Sequence, residues 1–313
     1  MQGGPGPAFP RNQLTGKPAV MTGSGCMQLI DSQVHCFAAS QPDLPWAVES
    51  VPLYESDGAD MIAAMAAVGV AGAIMVSPFS VYHYDRRFAE ALGRNHAARF
   101  GLVVPVDPTL PDLDDSIAEW ATVPGAVGIR LLLPPAGQVD PATGEGLLRA
   151  IAAACRHGLA VNLMGTANLS LVHELAVRNS DAQLVLDHLG LPVPFDAVPV
   201  APFAALPEVL ALARYPNLAI KVSGACALSH EAYPFEDIWP QLSRVFDAFG
   251  LERCMWGTDW TRTVALLSYR EAVDSFRLNP RLSMTDRAML MGEALQRIYR
   301  WAPTAPDSAG GER

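Results

Sequence analysis

The sequence predicts an α/β barrel of eight parallel strands, the (β/α)8 or TIM barrel, with additional helices at the C-terminal end of the chain. Three observations predict this fold. Eight short apolar runs rich in β-branched residues alternate with segments of helical period. Strands that alternate with helices pair in parallel, and eight such units close into a barrel. The chain has 313 residues, half of them hydrophobic, which is enough to bury such a core.

The predicted strands follow one another with room for a helix between most pairs. They are Gln28–His35, Ala71–Ser77, Gly101–Val106, Ala126–Leu133, Leu159–Met164, Gln183–His188, Leu218–Ser223 and Cys254–Thr258. Apolar residues recur at helical spacing in 58–69 and in 145–158, where Gly158 ends the pattern. After the eighth strand, we expect Thr285 to cap a terminal helix. Its expected buried positions are Ala288, Met291, Leu295 and Ile298.

We expect one barrel domain over residues 26–303, flanked by flexible tails at 1–25 and 304–313 that are rich in glycine and proline. No internal repeat or domain linker interrupts the central part. The proline-rich stretch Leu191–Pro207 follows the sixth strand, so we expect it to form a long loop over the barrel mouth.

Composition points to a small-molecule substrate. The net charge is -10 and only 17% of the residues are charged, which argues against a nucleic acid or an anionic membrane as the main partner. The sequence contains no stretch of about 20 apolar residues, so it does not predict a membrane span. The five cysteines are odd in number and lack CxxC spacing, so a reduced, cytoplasmic setting is the simplest interpretation. The sequence leaves the oligomeric state open, and a homo-oligomer is one of the possibilities.

Three short polar motifs lie at the ends of predicted strands that are far apart in the chain: DSQVH at 31–35, LDHLG at 186–190 and WGTDW at 256–260. In a barrel the carboxyl ends of the strands meet at one mouth, where the chemistry is placed. His35, His188 and Asp259 are the candidate catalytic residues. A lone histidine at a strand end is more often a capping or packing residue, and a lone aspartate a helix cap. Their similar positions favour one shared site.

Alternation along the first strand predicts that Asp31, Gln33 and His35 share one face, with Ile30 and Val34 on the other. Gln33 therefore lies beside His35 in the expected site, where it could hydrogen-bond substrate or water.

Further candidates for substrate binding are Arg130, Ser77, Asn162 and Trp260. A guanidinium in the middle of the fourth strand needs an anion, and a substrate group or an internal carboxylate would serve equally well. Ser77 ends the second strand and could donate to a substrate oxygen or form an ordinary turn. Lys221, on the seventh strand, could pair with a neighbouring carboxylate.

The order and spacing of these motifs resemble the amidohydrolase superfamily, in particular its amidohydrolase-2 branch, over roughly Gln28 to Trp301. The family's first-strand D-x-H-x-H corresponds to DSQVH here. The other matching motifs are GIRL on the fourth strand, LDHLG followed by Pro192, KVSG on the seventh strand, WGTDW, and the terminal EALQRIY. This branch includes pyrone-dicarboxylate lactonase-like enzymes, sugar lactonases and some decarboxylases.

The resemblance implies roles for four residues. His35 matches the second histidine of the first-strand pair and His188 the sixth-strand histidine. Asp259 matches the eighth-strand aspartate that takes a proton from the attacking water. Arg130 matches a position that in the lactonase branch can bind a substrate carboxylate.

Two departures from the family pattern bear on a metal. Gln33 replaces the first histidine, and Asn162 occupies the fifth strand, where metal-dependent members often place a ligand. Amides bind transition metals poorly, although His35, His188 and Asp259 could still supply three ligands. The sequence therefore predicts either no cofactor or a weakly bound divalent metal, zinc or manganese.

The sequence favours a hydrolase that opens a lactone or related cyclic ester, one that carries an anionic group. Asp259 would be the general base, His188 and His35 would polarise the carbonyl, and Arg130 would orient the anion. A metal-dependent decarboxylase or amidohydrolase on the same barrel is the nearest alternative. A non-catalytic ligand-binding barrel is the third, although a pure binder does not need the retained aspartate.

Overall fold

Eight parallel strands form a nearly closed barrel in the computed structural model, which describes residues 27–48, 56–194 and 196–304. Each strand pairs in parallel with the next one along the chain, which confirms the predicted fold class. The strands are β1, Leu29–Val34; β2, Val70–Val76; β3, Phe100–Pro105; β4, Ala126–Leu132; β5, Ala160–Met164; β6, Leu184–Leu186; β7, Leu218–Ser223; and β8, Cys254–Gly257.

Helices connect the strands and surround the barrel. They are α1, Gly58–Val68; α2, Phe79–Tyr82; α3, Arg87–His96; α4, Leu113–Trp120; α5, Pro141–Arg156; α6, Leu169–Arg178; α7, Leu206–Ala211; α8, Trp239–Phe249; α9, Tyr269–Arg277; α10, Met284–Ala288; and α11, Ala294–Tyr299. One π-helical segment, Met289–Glu293, joins α10 to α11. None of the helices in the described ranges has the length and apolar character that crossing a membrane requires.

Two local predictions were wrong. The N-cap of α10 is Ser283, not Thr285, because Ser283 and Asp286 form a reciprocal capping box. Strand β6 ends at Leu186 rather than at His188, because His188 and the next residue adopt left-handed backbone angles, with φ of 52° at His188. The expected long loop is present, since residues 191–205, apart from 195, form turns and irregular backbone before α7. The two predicted tails fall almost entirely outside the described residues.

A β-bulge in β1 overturns the predicted sharing of one face by Asp31, Gln33 and His35. Asp31 is opposite Ala73 and Val34 is opposite Met75, so β1 has one more residue than β2 in this interval. The extra residue inverts the alternation. Ile30 belongs to the cluster inside the barrel, whereas Asp31 bonds to Tyr269 of α9, outside it. Gln33 and His35 remain on the inner side.

The barrel interior is closed at the amino ends of the strands by α11. Its apolar side chains join the inner cluster formed by residues of the strands. Hydrogen bonds secure the same end, from Gln296 to Gln28 at 3.0 Å and from Gln28 to the Pro303 carbonyl at 3.0 Å. The opposite end, where β1, β6 and β8 finish, is the one that holds the polar motifs.

The DSQVH and WGTDW motifs form the seam that brings β1 and β8 together. The Gln33 carbonyl accepts from the Asp259 amide at 2.9 Å, and the amide of His35 donates to the Trp260 carbonyl at 2.8 Å. The buried Asp31 carboxylate accepts from the Thr258 amide at 3.0 Å and from the Thr258 hydroxyl at 2.6 Å. Burial raises the pKa of Asp31 to about 6, although these hydrogen bonds act in the opposite direction.

Candidate active site

Asp259 lies immediately beyond β8, fully buried and held in a left-handed conformation with φ of 58°. Its Oδ1 is 3.2 Å from His35 Nε2, and its Oδ2 is 3.8 Å from both His188 Nδ1 and Arg262 Nε. Despite these contacts, neither carboxylate oxygen has a partner with hydrogen-bond geometry among the described residues. A buried, unsatisfied carboxylate of this kind requires an explanation, and a bound water or substrate provides one.

The surroundings of Asp259 keep it ionised. Burial alone would raise its pKa, but His188, His35 and Arg262 together hold the pKa of the carboxyl well below its ordinary value. Asp259 is therefore a carboxylate at neutral pH and can accept a proton.

His35 is fixed in one orientation by the end of β2. Its Nδ1 is 2.7 Å from the carbonyl of Val76, and because a carbonyl can only accept, Nδ1 carries the hydrogen. The other nitrogen, Nε2, faces Asp259 and lies 3.5 Å from the side-chain nitrogen of Gln33.

His188 is neutral, and its tautomer follows from its partners. Arg130 Nη2 is 3.3 Å from His188 Nε2 and can only donate, so Nε2 is the acceptor. The hydrogen is therefore on Nδ1, which lies 2.9 Å from the hydroxyl of Ser223 on β7. Burial lowers the pKa of His188 to about 4, although the charges of Asp259 and Asp187 act in the opposite direction.

Arg130, buried in β4, forms a salt bridge with the carboxylate of Asp187. Its Nε donates to Asp187 Oδ2 at 2.8 Å, and both side chains are almost completely buried. Burial alone would raise the pKa of Asp187, but Lys221 and Arg130 outweigh it and lower the pKa. Of the two alternatives for Arg130, the structure shows the salt bridge; binding of a substrate carboxylate stays a prediction.

Lys221 and Gln33 meet beneath the two histidines. The Lys221 ammonium donates to Gln33 Oε1 at 2.7 Å and lies 3.3 Å from Asp187 Oδ1. Both side chains are completely buried. Burial lowers the pKa of Lys221 to about 8, although Asp187 opposes the shift. The expected pairing of Lys221 with a barrel carboxylate is thus present, and Gln33 is a second partner.

Asn162 lies at the bottom of this network rather than at the open mouth. Its amide nitrogen donates to Asp187 Oδ1 at 3.0 Å, and its oxygen accepts from the Tyr299 hydroxyl at 2.8 Å. Tyr299 belongs to α11, so the terminal helix contacts the site from below.

The remaining two predicted residues have different surroundings. Ser77 is buried and its hydroxyl has no hydrogen-bond partner among the described residues, which leaves it able to bind a ligand oxygen. The ring of Trp260 packs against Tyr269 of α9, with ring centroids 5.3 Å apart, and is 6% exposed. Trp260 therefore has a packing role in the structure, and substrate contact stays a prediction for both residues.

The geometry can be compared with known proteins. The model of the amidohydrolase family Amidohydro_2 matches residues 30–301, which contain every strand of the barrel except the first residue of β1. The chain belongs to this family.

Two curated relatives of this amidohydrolase act on lactones by name. The 4-sulfomuconolactone hydrolase of Hydrogenophaga intermedia is 27% identical over 203 residues, which are 63% of this chain and 62% of that protein. The chain therefore matches less than two thirds of that relative's length. The L-fucono-1,5-lactonase of Burkholderia ambifaria is 28% identical over 237 residues, 74% of this chain and 79% of that protein.

An amidohydrolase of Burkholderia multivorans has the same fold. One crystal form, with bound HEPES, superposes with a TM-score of 0.71 at 24% identity and covers 88% of this chain and all of that one. A second crystal form contains zinc and superposes with a TM-score of 0.69 at 23% identity, with the same coverage.

The residues of this amidohydrolase do not fit a divalent metal in the arrangement observed. His188 Nε2 accepts from the Arg130 guanidinium, and His35 Nε2 faces the amide nitrogen of Gln33. The Gln33 oxygen is held by an ammonium group. Throughout the described ranges, no three histidine, cysteine, aspartate or glutamate side chains are arranged to hold a metal ion. At His188, His35 and Gln33 the site thus places cations or donors where a metal needs lone pairs.

Several residues of the site were not among the sequence candidates. Asp187 lies beside His188 in the LDHLG motif, so the motif could have identified it as a candidate. Only the fold shows that it joins Arg130 and Lys221. Ser223 ends β7 within the KVSG motif, so its position could likewise have marked it as a candidate. Arg262 follows Asp259 by three residues, and its Nη2 donates to the Val193 carbonyl in the loop after β6 at 3.1 Å. Tyr299 ends the terminal EALQRIY motif, but nothing in that motif showed that its hydroxyl reaches Asn162.

Proposed function

We propose that this amidohydrolase hydrolyses a lactone that carries an anionic group, with Asp259 as the general base. The observation that supports this most is the buried Asp259 carboxylate, which lies between two histidines and whose oxygens lack hydrogen-bond partners in the part of the chain that the structure describes. The names of the two relatives, a sulfomuconolactone hydrolase and a fuconolactonase, support the same bond type.

In the proposed reaction, Asp259 removes a proton from water while the water oxygen attacks the lactone carbonyl. The tetrahedral intermediate then collapses, the ring oxygen leaves, and Asp259 returns the proton to it. The product is an open hydroxy acid. His35 Nε2, 3.2 Å from Asp259 Oδ1, stabilises the proton while Asp259 holds it.

Donors near the two histidines would stabilise the oxyanion. The single N–H of neutral His188 is directed at Ser223, 2.9 Å away, so in this proposal it does not polarise the carbonyl. Arg130 and the amide of Gln33 then polarise the carbonyl. This division shifts the polarising role from His188, where the sequence placed it, to Arg130.

A strained or activated ester is a better substrate for this site than an amide. The depressed pKa of Asp259 makes it a weak base, because base strength follows pKa. A weak base needs a carbonyl that is already electrophilic. Lactones satisfy this requirement, whereas an unactivated amide would need a Lewis acid.

The charges of the site favour an anionic substrate. Two carboxylates, Asp187 and Asp259, lie near three cations, Arg130, Lys221 and Arg262. With His188 neutral, this balance leaves a positive site in a chain whose net charge is -10. The Arg262 side chain is 20% exposed, so it can contact a ligand at the mouth. A cytoplasmic location stays a prediction, and the oligomeric state stays open.

The test is turnover of a panel of anionic and neutral lactones by the wild type and by Asp259→Asn. We expect kcat to fall by at least about 100-fold on the best lactone, because the amide cannot accept the proton. Unchanged turnover by Asp259→Asn would refute the proposal.

Metal content and chelator sensitivity decide between this proposal and the metal-dependent alternative. We expect full activity in chelator and less than stoichiometric metal. Stoichiometric zinc or manganese, with activity lost to chelator and restored by metal, would favour the metal-dependent enzyme. Ligand binding without turnover across the panel would favour a non-catalytic barrel.

A further inference from the structure

Lys221 is an unusual residue in this chain. Only two of the 22 lysine and arginine residues are lysines, Lys17 and Lys221. Lys221 lies on β7 and is completely buried. Removing an ammonium group from water is costly unless specific partners compensate, so its place in the barrel requires a reason.

Neutralising Asp187 is not a sufficient reason. Arg130 Nε bonds to Asp187 at 2.8 Å, and the Asn162 amide donates to it at 3.0 Å. Lys221 is farther away, at 3.3 Å, and its shortest contact is the 2.7 Å bond to the oxygen of Gln33. The neutral amide is therefore its closest partner.

This bond determines which way the Gln33 amide points. An ammonium group can only donate, so the end of the amide that faces Lys221 must be the oxygen. The reverse orientation would direct amide hydrogens at a cation. The nitrogen consequently lies on the opposite side, 3.5 Å from His35 Nε2, where β1 and β8 meet.

We propose that Lys221 is a positioning residue that fixes the Gln33 amide as an N–H donor in the active site. The amide donates to His35 Nε2 in the free enzyme and to the substrate carbonyl oxygen when the lactone binds. Lys221 pairs with Asp187 as well, but its effect on catalysis passes through Gln33. This inference rests on the proposed lactone hydrolysis and adds a residue that contacts neither water nor substrate.

A double-mutant cycle on kcat/KM tests whether Lys221 acts through Gln33. We expect Gln33→Ala and Lys221→Met each to lower kcat/KM on the best lactone by about 10- to 100-fold. The double variant should be no slower than the slower single variant, because the second change removes nothing more. Fold losses that multiply would overturn the inference, as would a Gln33→Ala variant with wild-type kcat/KM.

Gln33→Glu separates orientation from simple packing. Its carboxylate can still accept from Lys221, but when ionised it has no N–H to donate. We expect this variant to keep the melting temperature of the wild type and to lose about as much kcat/KM as Gln33→Ala. Retained activity in Gln33→Glu would show that the donor is not needed and would overturn the inference.

NMR of the substrate-free protein provides a readout that does not depend on turnover. In the wild type, the Gln33 side-chain amide protons should show nuclear Overhauser contacts to the His35 ring. The 15N shift of His35 Nε2 should change in Lys221→Met and in Gln33→Ala. Amide protons close to the Lys221 side chain instead would overturn the inference, even if Lys221→Met failed to fold. If Asp259→Asn retained lactonase activity, the proposed function would fail, while these measurements would still decide the orientation.

Discussion

His188 shows how burial and partners set the state of a single residue. Arg130 donates to its Nε2, so a proton added there would face a guanidinium at 3.3 Å. Burial also disfavours the imidazolium and lowers the pKa of His188 to about 4. The histidine therefore stays neutral over the physiological range, and its one N–H remains directed at Ser223.

The pH dependence of stability follows from this shift. An unfolded histidine has a pKa near 6.5. Between this value and about 4, the unfolded chain binds the proton and the folded protein does not, so His188 makes stability fall as the pH falls through this window. We expect the melting temperature of the wild type to decrease over this range by more than that of His188→Asn. Parallel curves for the two proteins would contradict the assignment.

The buried pair of Arg130 and Asp187 should contribute far more to stability than a surface pair. Replacing Arg130 with Met leaves a buried carboxylate with Lys221 as its remaining cation. We expect a loss of about 3 kcal/mol, because breaking a buried pair strands a charge.

Arg149→Met provides the matched control, since Arg149 pairs with Asp114 at the surface with 38% of its side chain exposed. We expect a change within about 1 kcal/mol. Urea unfolding measures both variants. Equal losses in the two would show that the Arg130 pair is not buried as described.

At the scale of elements, the seam between β1 and β8 depends on a close approach at Gly257. A Cβ added at this position would lie 2.5 Å from Ser32 Oγ and 3.1 Å from the Gln33 nitrogen. We expect Gly257→Ala to cost about 1–3 kcal/mol through overpacking. It should also lower kcat, because Asp259 follows two residues later.

Gly144→Ala is the control for this prediction. Gly144 lies in α5, and its nearest neighbour would be Val139 Cγ1 at 3.7 Å. This change should leave kcat unaltered and stabilise the fold by up to about 1 kcal/mol, since alanine favours a helix. Thermal unfolding and lactone kinetics check both variants. A harmless Gly257→Ala would mean that the strands can separate without loss of function.

The sequence predicted all eight strands to within two residues at each end, because buried parallel strands read as short apolar runs. The sequence-based prediction failed for features that the pattern of neighbouring residues does not determine. Alternation assumes an uninterrupted strand, so it could not reveal the bulge that turns Asp31 away from Gln33. Nor could it show that Tyr299 contacts Asn162, since a pairing across 137 positions depends on the closed barrel.

At the scale of the molecule, the terminal helix supports the candidate active site from the far end of the barrel. The Tyr299 hydroxyl donates to Asn162, which in turn holds Asp187. Tyr299→Phe would leave the buried Asn162 oxygen without this donor, at a cost of about 1–3 kcal/mol.

Tyr84→Phe provides the comparison, because Tyr84 is 39% exposed and lies far from this network in sequence. We expect its effect to stay within about 0.5 kcal/mol. Chemical denaturation of both variants gives the difference. Identical midpoints would indicate that water replaces the tyrosine hydroxyl.

The hydrogen bond between the Gln33 carbonyl and the Asp259 amide joins positions separated by most of the chain. During synthesis, the first motif leaves the ribosome long before its partner has been translated. A nascent chain that stops before β8 holds both histidines but lacks the last strand and the Asp259 carboxylate. If Asp259 is the general base, as proposed, catalysis therefore has to wait until the chain has been synthesised past the eighth strand.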